Sequence, residues 1–181
     1  MNSPSPNLSK LRHWLLEADY IPFLELAQTS KHILSQLTAL TYDPDSNINI
    51  HAIRATGLAA KIIAERNPEY VRNYLLRLFW LVNDESGGIG WKAPELIGEI
   101  LHNCPQFNQF FPMLISLLAL DEEDAPRFRI GTLWAIGRVA QVARQAMLPA
   151  LRQVRAYTSY QETGTRKMAV WCVQQLTVES A

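Results

Sequence analysis

The chain has 181 residues, 48% of them hydrophobic and 19% charged, and its 17 Lys/Arg balance its 17 Asp/Glu. That length fits one domain or one short repeat array, and the composition excludes wholesale disorder. A zero net charge disfavours a globally basic nucleic-acid binder, which needs an excess of cations, and two cysteines are too few for a disulfide framework.

In chain order, the opening MNSPSPNLSK has no apolar core of the kind a signal peptide needs. Residues 1–7 are expected to form a disordered tail. Leu8 to Gln28, with Trp14 in its first helix, reads as an incomplete helical unit. Tyr42-Asp43-Pro44-Asp45-Ser46 is a turn cluster. Asn67-Pro68-Glu69 reads as an N-cap, a first-turn proline and an acid that suits the helix dipole. Pro105 and Pro126 also fit helix starts. Pro94 sits either in the first turn of a late-starting helix or at a kink. Pro112 and Pro149 lie 37 residues apart, at the same place in two helices, where each starts or kinks its helix. The longest apolar run, Phe110 to Leu120, is interrupted by Pro112 and Ser116 and falls short of the ~20 residues that span a bilayer. Cys104 and Cys172 read as buried, inert thiols, which suits a reducing, cytoplasmic setting. No segment alternates with the period of a strand, so the expected fold is all-α.

A repeat runs through this pattern. HAIRATGLAA, KAPELIGEIL and GTLWAIGRVA align on Gly57, Gly98 and Gly137, which are 41 and 39 residues apart, and Cys172 takes the glycine slot 35 residues further on. Leu37, Leu75, Leu114 and Leu151 recur between them at 38, 39 and 37 residues. The unit is therefore a pair of helices. The expected organisation is a half unit at 8–28 and units at about 29–66, 67–104, 105–142 and 143–178, in one α-solenoid domain over 8–178. A glycine inside a helix costs up to ~1 kcal/mol against alanine. Its recurrence in three aligned second helices implies close helix packing that compensates.

The stretches LTALTYDPDSNINIHAIRATGLAA, FWLVNDESGGIGWKAPELIGEI and ISLLALDEEDAPRFRIGTLWAIGRVA resemble HEAT-like repeats of the phycobilisome-lyase type over residues ~30–178. The first two also resemble an uncharacterised prokaryotic family of short HEAT-like proteins that supplies no activity to carry over. The phycobilisome-lyase resemblance implies handling of a linear tetrapyrrole as lyase or chaperone. The fourth unit departs from the pattern, with Cys172 for glycine and Gln161 to Gly164 for the acidic turn, as a C-terminal cap would.

Lys92, Glu95, Glu99 and His102 share one face of the second unit's second helix. Their aligned neighbours are His51, Arg54, Leu58 and Lys61 on one side and Gly131, Trp134, Arg138 and Gln141 on the other. Stacking then places Arg54 near Glu95 and Glu99 near Arg138, an ion-pair ladder on a solvated concave face. Glu99-x-x-His102 with Glu95 is also half of a carboxylate-bridged metal site, but a second such motif is missing, so neither metal nor cofactor is assigned. Gly87, Gly88 and Gly90 before Trp91 form a Gly-rich loop, either ligand-binding or an inter-helix turn. Trp134 is a candidate interface anchor, whereas Trp80 and Trp171 read as core.

No nucleophile, triad or phosphate-loop signature appears. Residues 1–124 carry 9 Lys/Arg against 15 Asp/Glu, and residues 125–181 carry 8 against 2, with Asp121 to Asp124 at the border. The expected function is a non-catalytic protein–protein adaptor. Its concave face presents Arg54, Glu95, Glu99, Trp134 and Arg138, flanked by the Gly87–Trp91 loop. The expected partner is another protein, an acidic one if it meets the basic C-terminal segment, with head-to-tail self-association as an alternative; nucleic acid is disfavoured.

Overall fold

A computed structural model describes residues 7–82, 92–120 and 126–178. The described residues are helical and contain no strand. The helices are α1 (Leu8–Leu16), α2 (Ile21–Thr29), α3 (Ile33–Leu40), α4 (Ser46–Ala64), α5 (Pro68–Val82), α6 (Ala93–Asn103), α7 (Phe111–Ser116), α8 (Pro126–Met147), α9 (Leu151–Ala156) and α10 (Thr163–Thr177). Short 3-10 turns flank α7 and α9. The fold is an all-α solenoid: α4, α6, α8 and α10 pack in series as an inner row, and α3, α5, α7 and α9 each pack on an inner helix.

The helix boundaries follow the local chemistry. Asp45 caps α4 by accepting a hydrogen bond from the Asn47 backbone at 2.8 Å, and Asn67 does the same for Tyr70 ahead of Pro68. Pro94 lies in the first turn of α6, so that helix starts late and unkinked. Pro112 opens α7 and Pro149 lies in the 3-10 turn before α9, which is why both outer helices are broken into short pieces. The N-terminal half unit is two nine-residue helices joined through Ala18, whose φ of 52° is left-handed. Both pack on α4. Arg12 ties α1 to Asp43 in the turn before α4, and Trp14 closes this end edge-on against Phe23.

One continuous core runs through the repeats. Leu37, Leu75 and Leu114 are fully buried at their aligned positions, each contributing ~1.5–3 kcal/mol. Leu151, at the aligned position of the fourth unit, is half-buried. The aligned glycines mark where successive inner helices touch. A Cβ on Gly57 would meet the Glu99 Cγ at 2.6 Å, one on Gly98 the Ala135 Cα at 2.6 Å, and one on Gly137 the Trp171 ring at 2.4 Å. Each glycine slot thus receives the next inner helix, and close approach accounts for the repeat. The outer side of the last helix is mainly polar, with Thr163, Lys167, Gln174 and Thr177 exposed.

The position of Trp80 differs from the expected core. The buried stripe of α5 is Val71, Tyr74, Leu75, Leu78 and Phe79. Trp80 falls on the opposite face beside Leu76 and is 63% exposed. An apolar run does not reveal which of its residues face inward; the helical period does.

Candidate functional site

The inner helices bring the aligned polar row together, in a form that differs from a solvated ladder. Residues 93–101 of α6 are buried between α4 and α8. Glu99 is 2% exposed. Arg138 reaches it from α8 in a two-pronged contact, Nε to Oε2 at 2.7 Å and Nη2 to Oε1 at 3.0 Å. Asn103, one turn on, donates to Glu99 Oε1 at 3.1 Å and to the Glu99 backbone carbonyl at 2.8 Å. The Gly57 backbone closes the other side. The network continues outward: Arg138 donates to Gln141, and Gln141 donates to Gln175 at 3.1 Å, linking α6, α8 and α10.

Glu95 is held differently. It is 8% exposed, and its Oε1 accepts from Nζ of Lys92, the N-cap residue of its own helix, at 3.0 Å. Among the described residues its buried Oε2 has no hydrogen-bond partner. The carboxylate lies against Gly131 of α8, where a Cβ would come within 2.5 Å of Oε2. Burial raises the Glu95 carboxyl above the usual carboxylate range, with the Lys92 ammonium opposing. The Tyr42 hydroxyl, also raised by burial, hydrogen-bonds the Lys92 backbone and feels the Glu95 charge.

The expected Arg54–Glu95 pair is therefore corrected. Glu95 turns toward α8, Lys92 takes the partner position from one turn back, and Arg54 stays exposed on α4. Glu95 and Glu99 are buried members of repeat contacts and not accessible side chains. The half-site reading of Glu95, Glu99 and His102 fails on the same geometry. Glu95 engages Lys92, Glu99 engages Arg138, and His102 Nδ1 donates to the Arg138 carbonyl at 2.9 Å. Burial lowers the His102 pKa and favours the neutral ring. Among the described residues no three His, Cys, Asp or Glu side chains come together as a metal site.

Accessible groups remain on the inner face. Arg54 and Lys61 are exposed on α4, Arg127 and Gln141 on α8, and Lys92, His102, Trp134 and Arg138 are partly exposed. His51, at the start of the row, is bonded to the Tyr20 hydroxyl of the N-terminal half unit. Trp134 packs partly against the core, and Trp171 is half-buried over Gly137. The candidate loop Gly87, Gly88, Gly90 and Trp91, the tail before Asn7 and the acidic border 121–124 lie outside the described residues. The exposed Leu76–Trp80 pair on α5 escaped the sequence reading, although its i, i+4 spacing on the face opposite the leucine stripe was a usable signal.

Fold and face together define an α-solenoid with a polar-lined inner helix row. In sequence the chain is similar to an uncharacterized protein of Archaeoglobus fulgidus, 34% identical over 122 residues, 67% of this chain and 61% of that relative. The chain spans about three fifths of the length of the curated relative it matches. In structure it is similar to a designed armadillo repeat protein in complex with the peptide (KR)4, at TM-score 0.51 and 18% identity, covering 95% of this chain and 87% of that one. No family model matches the chain, so the phycobilisome-lyase resemblance stands on the repeat pattern alone. Among the described residues no helix is long and apolar enough to cross a membrane.

Proposed function

We propose that this protein is a non-catalytic adaptor that binds a segment of another protein across its inner helix face. The carrying observation is the division of labour on that face. The inter-repeat contacts consume Glu95 and Glu99, while Arg54, Lys61, Trp134 and part of Arg138 stay accessible on helices fixed by those contacts. A rigid row of this kind supports binding because its exposed positions vary without disturbing the core. The helical-repeat neighbour, itself in complex with a peptide, adds support by analogy. Trp134 is the candidate anchor, since a half-buried aromatic is held in place at little entropic cost.

The test is affinity capture from the native organism with the wild type and with Arg54→Ala and Trp134→Ala variants shown to be folded by circular dichroism. The expected result is a partner recovered at stoichiometric level by the wild type and lost with the variants. Equal recovery with all three proteins removes the inner face from the proposal.

A further inference from the structure

The zero net charge of the chain hides an asymmetry on the inner face, where burial decides which charges meet solvent. The aligned row as written mixes signs: Arg54 and Lys61, then Lys92 with Glu95 and Glu99, then Arg138. In the fold both glutamates are withdrawn. Glu99 is 2% exposed with its oxygens bonded to Arg138 and Asn103. Glu95 is 8% exposed, bonded to Lys92 and packed on Gly131. What solvent meets along α4, the ends of α6 and α8 is Arg54, Lys61, Lys92, Arg127 and the outer part of Arg138, with Trp134 among them. Among the described residues, the acids at the margins are Glu65, exposed at the end of α4, and Glu162, which is partly exposed and spends both oxygens capping α10. The row holds the cations Arg54, Lys61, Lys92 and Arg138 against Glu95 and Glu99; with the glutamates buried in pairs with Lys92 and Arg138, the unpaired positive charge it presents among the described residues is that of Arg54 and Lys61.

We infer that the segment bound on the inner face is an acidic, extended stretch of a partner protein. This inference rests on the adaptor reading above. Adjacent packed helices lie ~8–10 Å apart, and an extended chain advances ~3.3 Å per residue. Cations on α4 and α8, two helix spacings apart across α6, therefore match carboxylates about five to six residues apart along a segment that crosses the helices. The arginines suit this because a guanidinium takes a carboxylate with two parallel hydrogen bonds. Arg54 and Arg127 are exposed for it, and Arg138 keeps Nη1 on the exposed, Gln141 side of its pair with Glu99. An apolar residue within the acidic stretch would meet Trp134. A nucleic acid fits less well: its phosphates repeat more densely than one cation per helix, and the face offers a single tryptophan as a stacking surface.

The probe is the eight-residue peptide (DE)4, fluorescently labelled and titrated with the purified full chain, alongside (KR)4 and a 20-nucleotide single-stranded DNA. The expected result is saturable binding of (DE)4 that weakens at least tenfold between low and physiological salt. It also weakens at least tenfold in Arg54→Gln/Lys61→Gln, whose two positions are exposed, so the fold is retained. Arg152→Gln/Arg155→Gln, on exposed positions of outer helix α9, should bind as the wild type does. Absence of (DE)4 binding, tighter binding of (KR)4 or of the DNA, or loss of (DE)4 binding in the α9 variant alone each overturns the inference. The adaptor reading fails separately: a captured partner that depends on Arg54 and Trp134 but has no acidic stretch sinks the acidic segment and leaves the adaptor standing.

Discussion

Arg138 on α8 grips the buried Glu99 carboxylate on α6 through Nε and Nη2, at 2.7 and 3.0 Å, across the boundary between two repeats. The pair is asymmetric: the Glu99 side chain is 3% exposed and that of Arg138 is 26% exposed. Removing the arginine strands a carboxylate in the core, while removing the glutamate leaves a cation that still reaches water. Arg138→Met should therefore cost about 3 kcal/mol and Glu99→Gln about 1 kcal/mol, measured by urea unfolding. The double variant Glu99→Gln/Arg138→Met should recover most of the Arg138→Met loss. Additive losses would mean the two side chains stabilise the fold independently.

Gly131 and Glu95 test the second repeat contact. A methyl at residue 131 would collide with the Glu95 carboxylate, whose Oε2 would lie 2.5 Å from it. Gly131→Ala should destabilise by about 1–3 kcal/mol. Adding Glu95→Ala should abolish that penalty and leave the helix-propensity gain of about 1 kcal/mol. Gly98→Ala is the control: its methyl meets the Ala135 Cα at 2.6 Å, on backbone that cannot rotate away, so Glu95→Ala should not rescue it.

The raised Glu95 carboxyl predicts a pH dependence of stability with a definite sign. A carboxyl with a higher pKa folded than unfolded binds its proton more tightly in the native state. Its contribution is fully present below the ordinary carboxylate range and is lost as pH rises through the raised folded value. Glu95→Gln should therefore be more stable than the wild type at neutral pH, with the advantage shrinking as the pH is lowered. His102, whose folded pKa is lowered from 6.5, has the opposite dependence: its contribution is present above that value and lost on acidification. Both proteins keep His102, so the difference between their unfolding curves across pH isolates Glu95.

Cys104 and Cys172 are free and buried, and burial pushes both thiols up to about 12. The thiolate is the reactive form. Iodoacetamide at neutral pH should leave both cysteines unmodified in the native protein and alkylate both in denaturant, read by intact mass. Rapid modification of either in the native state would show that its helix opens to solvent.

Much of the fold was legible in the sequence because repeats write the same contact several times. Gly57, Gly98 and Gly137 stood out by spacing, and each proved to be a point where the next inner helix touches. Pro94, Pro112 and Pro149 marked helix starts because proline lacks the N–H that a helix interior needs. The Glu99–Arg138 pair was readable because its 39-residue separation equals the spacing of Gly98 and Gly137. The Arg54–Glu95 expectation came from the same rule and failed, because a long side chain has several neighbours within reach and Lys92 of its own helix is one of them.

The sequence alone determined the class of fold, the repeat length and the identity of the polar row, since periodicity and punctuation are local properties of the chain. Tertiary structure alone decided which members of that row solvent can reach. Burial depends on how closely neighbouring helices approach, and α4 and α8 flank α6 closely enough to enclose Glu95 and Glu99. The same packing turned Trp80 outward and left Arg54 and Lys61 facing water. The glutamates of a row of mixed charge are thereby withdrawn from solvent, and its exposed members are the cations.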